Sequence, residues 1–138
     1  MENQPKKSSI SFKIIAIVAL IWNLMGVFAY IGQVYLTADE KALLPKETQD
    51  FYAHAPAWYT GAFAIAVFAG ALGCLFLLLR KSIAKTLLLI SLMGVLVQSV
   101  YNFFIQTDMS ITATQAGMPI MIIVVSIFLV WYSRKELN

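Results

Sequence analysis

The side chains best suited to chemistry in this sequence are uncharged, and they recur along two strongly apolar segments. The two sets are Asn23, Gly26, Tyr30 and Gln33, and Ser91, Gly94, Gln98 and Asn102. On a helix, the members of each set fall within about 80° of one another. Amide and phenol groups aligned in this way donate and accept hydrogen bonds. The pattern therefore favours hydrogen bonding to a neutral partner over acid–base chemistry.

Two interpretations of these stripes stay open. In the first, the amides hydrogen-bond between helices and fix their packing, at roughly 0.6–2 kcal/mol for each bond. In the second, the two helices line an uncharged polar cavity that opens to the outside and binds a small neutral solute. The candidate substrate-binding residues are then Trp22, Asn23, Tyr30, Gln33, Gln98 and Asn102.

Each candidate has an expected role in the cavity interpretation. Asn23, Gln98 and Asn102 would hydrogen-bond the solute, because amides offer paired donors and acceptors. Tyr30 and Gln33 would line the outer entrance. Trp22, which lies too deep for an interfacial residue, would provide a flat stacking surface.

Catalytic and metal-binding patterns are absent from the sequence. The one histidine, His54, falls in a connecting loop, and the one cysteine, Cys74, excludes an intrachain disulfide and a multi-cysteine metal site. Proton-coupled carriers and ion pumps usually place an ionisable residue inside the membrane, whereas the apolar segments here hold no carboxylate, lysine or arginine. We predict no enzyme activity, no catalytic residue, no metal and no other cofactor.

The polar side chains lie within long stretches that contain no Asp, Glu, Lys or Arg. There are four such stretches: 14–38, 51–79, 86–107 and 109–133. Each exceeds the roughly 20 apolar residues that cross a bilayer as a helix. Hydrophobic residues make up 60% of the 138 and charged residues only 12%. The sequence predicts an all-α membrane protein with a single domain, 1–138. The expected bundle has four transmembrane helices at about 13–36, 57–79, 84–106 and 116–133.

The charges between these stretches are sorted by sign. Eight of the ten basic residues fall on one side of the predicted membrane: Lys6, Lys7, Lys13, Arg80, Lys81, Lys85, Arg134 and Lys135. Five of the seven acids fall on the other side: Asp39, Glu40, Glu47, Asp50 and Asp108. Short loops rich in Lys and Arg stay in the cytoplasm. We predict a multi-pass plasma-membrane protein with both termini cytoplasmic, and no nucleic-acid partner.

The longest connection, 37–56, is expected to be partly helical and extracytoplasmic. Thr37 and Glu40 have the spacing of a capping box, which predicts a short helix through Leu44. The second outer connection is expected at 107–115, with Thr112 or Thr114 as a cap. Pro119 would then fall in the first turn of the fourth span.

Small residues form a third pattern, on the second span. Ala62, Ala66, Ala69 and Gly73 share one face, and small residues at such spacing allow helices to approach closely. The stripe predicts either a contact within the bundle or a homo-oligomer interface. The tetrapeptide at 24–27 also recurs at 92–95, which would make spans one and three equivalent and parallel.

Three segments carry a resemblance: WNLMGVFAYIGQVYLT (22–37), PAWYTGAFAIAVFAGALGCLFLLLRK (56–81) and MPIMIIVVSIFLVWYSRK (118–135). The chain resembles a group of small bacterial four-helix inner-membrane proteins that are commonly labelled sugar transporters. The resemblance implies a bacterial inner membrane and no specific site residue. Transport of a neutral solute such as a sugar is one expectation. The alternative is a non-transporting accessory or structural subunit of a membrane complex.

Overall fold

A computed structural model describes residues 9–106 and 113–137, apart from the side chains of 113–116. These residues form helices and no strand. The helices are α1 (Ile10–Val34), α2 (Ala38–Ala42), α3 (Lys46–His54), α4 (Ala57–Leu78), α5 (Ile83–Val100) and α6 (Ala113–Leu137). A π-helical turn, Tyr101–Ile105, continues α5.

Four of the described helical segments are long and apolar enough to cross a bilayer: Ile10–Val34, Ala57–Leu78, Ile83–Ile105 and Gly117–Leu137. Their mean hydropathy lies between 1.7 and 2.4. The predicted class, an all-α protein with four spanning helices, is confirmed at this level. The expected outer connection 107–115, with its acid Asp108 and its candidate threonine caps, lies largely outside the described residues.

Local capping interactions determine where α1 and α2 begin. Helix α1 begins three residues earlier than predicted, because the Ser9 hydroxyl accepts a hydrogen bond from the Phe12 amide at 3.0 Å. Thr37 and Glu40 form the capping box that their spacing predicted, with bonds of 2.9 and 3.1 Å. Helix α2 ends at Ala42, two residues before the predicted end at Leu44.

Helix α6 is longer at both ends than the sequence indicated. It begins at Ala113, so Pro119 lies inside the helix and not in its first turn as predicted. A proline there donates no bond to the carbonyl four residues earlier. The helix also runs past the apolar stretch to Leu137, with Arg134 and Lys135 in its last turn. Cations at a helix C-terminus interact favourably with the helix dipole.

Helix α4 is the centre of the bundle. It packs against α1 and α5, and α5 packs against α6. In the most apolar window of α4, 44% of the residues are buried, against 11% in that of α1. Helices α1 and α5 therefore both pack on α4.

The small-residue stripe of α4 forms the α4–α5 interface. A Cβ built at Gly94 of α5 would lie 2.9 Å from the Ala62 carbonyl oxygen and 3.0 Å from the Ala66 nitrogen. A Cβ at Gly73 would lie 2.8 Å from Leu88 of α5. Ala62, Ala66, Ala69 and Gly73 are all buried within the single chain. The stripe therefore contributes to packing inside the bundle, which is one of the two roles that its spacing predicted.

At one end of the bundle, Arg80 connects the end of α4 to α1 and α6. This residue ends α4 in the left-handed conformation, with φ of 57°. The amides of Arg80 and Lys81 bond the Leu77 and Phe76 carbonyls, which completes a Schellman motif. The Arg80 guanidinium lies 4.5 Å from the Phe12 ring centre and donates to the Glu136 carbonyl at 2.7 Å.

Basic and acidic residues lie at opposite ends of the bundle. The start of α1, the end of α4 and the end of α6 meet at the Arg80 end, where the described basic residues of the predicted inner side lie. The opposite end carries α2 and α3 with their four acids. There the Phe51 ring of α3 packs edge-on against the rings of Tyr59 and Tyr101, at 5.5 and 5.6 Å.

Candidate functional site

Two polar contacts lie close together in the centre of the bundle, one from Asn23 of α1 and one from Ser91 of α5, and both are made to α4. The Asn23 carboxamide nitrogen donates to the Ala19 carbonyl at 2.9 Å and to the Cys74 sulfur of α4 at 3.4 Å. The Ser91 hydroxyl donates to the Ala66 carbonyl of α4 at 2.6 Å. Polar side chains from α1 and α5 therefore both bond to α4, as expected if they fix helix packing.

Gly70 of α4 makes this arrangement possible. A Cβ built there would overlap the Asn23 carboxamide oxygen and would lie 3.0 Å from the Ser91 hydroxyl. Because glycine has no side chain, the polar groups of α1 and α5 approach the same point of α4 from two helices. Gly70 thus determines how close Asn23 and Ser91 can come to each other.

A small cavity lies beside these contacts. Its volume is about 40 Å³, and its lining includes Trp22 and Asn23 of α1, Ser91 of α5 and Ser126 of α6. A bound water needs roughly 10–15 Å³ of such volume, whereas pockets for drug-sized ligands measure roughly 300–1,000 Å³. The cavity therefore has room for a few water molecules and not for a sugar.

Two of the predicted site residues lie elsewhere, near the α3 end. The Tyr59 hydroxyl of α4 donates to the Asn102 carboxamide oxygen at 3.1 Å, and the Gln98 amide nitrogen lies 3.5 Å from the same hydroxyl. Asn102 lies in the π-helical turn, where the extra residue per turn changes which face a side chain occupies. Gln98 and Asn102 therefore bond Tyr59 and do not meet Asn23.

The two predicted entrance residues, Tyr30 and Gln33, lie away from the central cavity. The Tyr30 ring packs edge-on against Phe63 and Phe68 of α4, at 5.3 and 5.7 Å. Gln33 is partly exposed in the last turn of α1, and its side chain makes no hydrogen bond to a described residue. Neither side chain lines the central cavity. The six predicted residues thus divide into a central pair, Trp22 and Asn23, and separate groups near the α3 end.

Several residues of these contacts were not in the predicted site, among them Cys74, Ser91, Ser126, Gly70 and Tyr59. Ser126 was the only polar residue in the apolar run of α6, and this isolation was its one signal. Gly70 lay beside a recognised small-residue stripe, with nothing in the sequence to show what it faces. Tyr59 belongs to neither polar stripe, and nothing in the sequence indicates that its side chain is buried.

An apolar groove lies between α1 and α6, next to the cavity. Its volume is about 350 Å³, and its walls include Ile14 and Val18 of α1 and Phe128 of α6. Trp22, Val125 and Leu129 line both the groove and the cavity. The lipid-facing groove and the polar cavity are therefore neighbours that share a wall.

No family model, curated protein or solved structure matches this chain. Among residues 9–106 and 113–137, no group of three His, Cys, Asp or Glu side chains is placed to hold a metal ion. The functional interpretation consequently depends on the geometry of the bundle itself.

Proposed function

We propose that this chain is a non-transporting subunit of a membrane protein complex. It would act as a four-helix module that packs against another membrane protein. The observation that carries the proposal is the use of the central polar groups. Asn23 and Ser91 bond α4 within the chain, and the space beside them measures about 40 Å³. Such a bundle is suited to a fixed structure more than to passage of a sugar.

The exposed face of α1 offers a contact surface for a partner helix. Large apolar side chains repeat along it at intervals of three and four residues: Ile17, Ile21, Leu24, Phe28 and Ile31. All five are exposed on the isolated chain, and this spacing is the one by which two helices interdigitate. The docking face is thus α1, and not the small-residue stripe of α4, which α5 occupies.

Reconstitution tests the proposal directly. Purified protein in liposomes should give no uptake of labelled sugars above empty liposomes. A photo-crosslinker at Phe28, on the exposed face, should join the chain to one reproducible membrane protein in native membranes, and a crosslinker at the buried position Leu88 should not. Sugar uptake that Asn23→Leu abolishes would overturn the proposal.

The setting we propose is a bacterial inner membrane with both termini in the cytoplasm. Support comes from the separation of charge between the two ends of the bundle, because basic loops remain inside. The Arg80 end would then face the cytoplasm, and α2 and α3 would face outwards.

Passage of a small neutral solute is the second candidate. The observation that favours it is the cavity, since Trp22, Asn23, Ser91 and Ser126 give it an uncharged polar lining at the middle of the bundle. Water-sized solutes fit this space as it stands. A sugar would require the helices to separate or several chains to build a path together, with Asn23 as its first contact.

A further inference from the structure

The α1–α6 groove and the central cavity form one composite space with an apolar part and a polar end. The groove has apolar walls and faces the surrounding lipid, and at Trp22 it adjoins the cavity. Trp22 is the middle residue of α1, Ile10–Val34. The polar end therefore lies near mid-depth of the bundle, far from both membrane surfaces.

The polar end has unused hydrogen-bonding capacity. The Ser126 hydroxyl and the Trp22 indole both line the cavity, and neither takes part in a hydrogen bond described among residues 9–106 and 113–137. The Asn23 carboxamide nitrogen donates twice within the chain, and its oxygen lies against Gly70 of α4. These groups can donate hydrogen bonds to a ligand atom or accept them from it. Such a bond would stabilise the complex, because the surrounding hydrocarbon offers the ligand's polar group no other partner.

We propose that this composite space binds one neutral, largely apolar molecule with a hydroxyl or carbonyl group within its apolar body. The apolar body would occupy the groove, whose volume of about 350 Å³ is within the usual range for ligand pockets. The single polar group would bond the Ser126 hydroxyl, which lines the cavity. This ligand site is separate from the docking face proposed for α1, and it goes beyond the proposed function.

The charge and depth of the site select this ligand class. None of the residues that line the groove or the cavity is charged, and a charge at mid-membrane is costly without a partner. A phospholipid keeps its phosphate at the membrane surface, so its acyl chain fills the groove and brings no polar group to Ser126. A molecule with a buried hydroxyl or carbonyl satisfies both parts of the space.

Fluorescence quenching of Trp22 tests the proposal. The protein carries Trp58→Phe and Trp131→Phe, so that Trp22 is its one indole, and is reconstituted in phosphatidylcholine vesicles. Two brominated probes of equal chain length are compared, a secondary alcohol with its hydroxyl at mid-chain and an alkane. The alcohol should reach half-maximal quenching at a mole fraction roughly two- to tenfold lower, which corresponds to one hydrogen bond.

Two substitutions locate the effect. Ser126→Ala should abolish the preference for the alcohol, whereas Ser99→Ala should retain it, because the Ser99 hydroxyl bonds the Val95 carbonyl of its own helix at 2.8 Å. Val18→Phe, at an exposed wall of the groove, should weaken quenching by both probes. Circular dichroism of each variant verifies that the helices remain folded.

Three results would each overturn the proposal. The first is equal quenching by alcohol and alkane, and the second is a preference that survives Ser126→Ala. The third is a Trp22 that neither probe quenches while Val18→Cys forms a disulfide-linked dimer, since a second copy would then occupy the groove.

Discussion

The Asn23 carboxamide on α1 and the Cys74 thiol on α4 are joined by a hydrogen bond of 3.4 Å in the middle of the bundle. Sulfur is a weak acceptor, and the same nitrogen bonds the Ala19 carbonyl more closely, at 2.9 Å. Asn23 therefore has its donors satisfied within the chain and at the same time connects two helices. This pair explains why the cysteine is buried and why the amide is tolerated in an apolar span.

Replacing Asn23 by alanine should destabilise the protein by roughly 1–2 kcal/mol, because a bond between helices and a filled volume are both lost. The measurement is reversible unfolding in mixed micelles. Gln33→Ala is the matched control, since the Gln33 side chain on the same helix makes no hydrogen bond to a described residue, and it should change stability little. Equal losses for the two variants would show that Asn23 is not an anchor.

Gly70→Ala should cost roughly 1–3 kcal/mol, the usual range for overpacking, because the new methyl group would overlap the Asn23 carboxamide. Gly61→Ala on the same helix is the control, as a Cβ there meets no atom within 4 Å. Combining Gly70→Ala with Asn23→Ala should cost less than the sum of the two single losses. Strict additivity in this cycle would contradict the close approach.

Phe51→Ala should release α3 from the bundle without unfolding it, since Phe51 is the one buried residue of that helix. Limited proteolysis should then cut within 46–54 more rapidly than in the unaltered protein, while the spanning helices stay protected. Leu43→Ala, at a residue that is 86% exposed, should leave the cleavage rate unchanged. Cleavage throughout the bundle would indicate that Phe51 supports more than α3.

Acidification should weaken α2. The hydrogen bond from the Thr37 backbone amide is the main reason why the pKa of the Glu40 carboxyl lies below its ordinary value of 4.5. The interaction with the Thr37 side chain lowers the pKa further. The contribution of Glu40 to the capping box is therefore complete above that value and is lost as the pH falls through the lowered pKa. Titration followed by NMR should show the shift, and Thr37→Val should raise the pKa of Glu40. A Glu40 that titrates identically in both proteins would contradict the capping box in solution.

Reporter fusions test the orientation. Alkaline phosphatase is active only outside the cytoplasm, so a fusion at residue 45 should be active and a fusion at residue 82 inactive. A reporter that is active only in the cytoplasm should give the reverse pattern at both positions. Activity at residue 82 would place the Arg80 end outside.

The spanning helices were predictable because length and charge determine them. The absence of charge over 14–38 or 51–79 suffices, since a bilayer demands a helix wherever roughly 20 apolar residues continue. The ends were less predictable. Ser9 began α1 early through a side-chain bond, and α6 continued past Ser133, because helix formation does not require apolar residues.

The site was only partly predictable, and the reason is the uniform hydrophobicity of the spans. When every face of a helix is apolar, periodicity does not show which face meets a neighbour. The sequence placed Asn23 and Ser91 on two separate stripes, and nothing in either stripe indicated that both would face α4 near Gly70. A π-helical turn then moved Asn102 towards Tyr59, and Ser126 stood alone on α6 without a pattern to mark it.

Arg80 has a consequence for the order in which the protein is made. A ribosome completes α4 and the turn at Arg80 well before α6, so the guanidinium waits for the Glu136 carbonyl that it finally bonds at 2.7 Å. Its other terminal nitrogen, Nη1, is buried without a partner among the described residues. A nascent chain stopped before Glu136 would leave this cation unsatisfied at the bundle end. The contact that joins α4 to the end of α6 can therefore form only after residue 136 has been made.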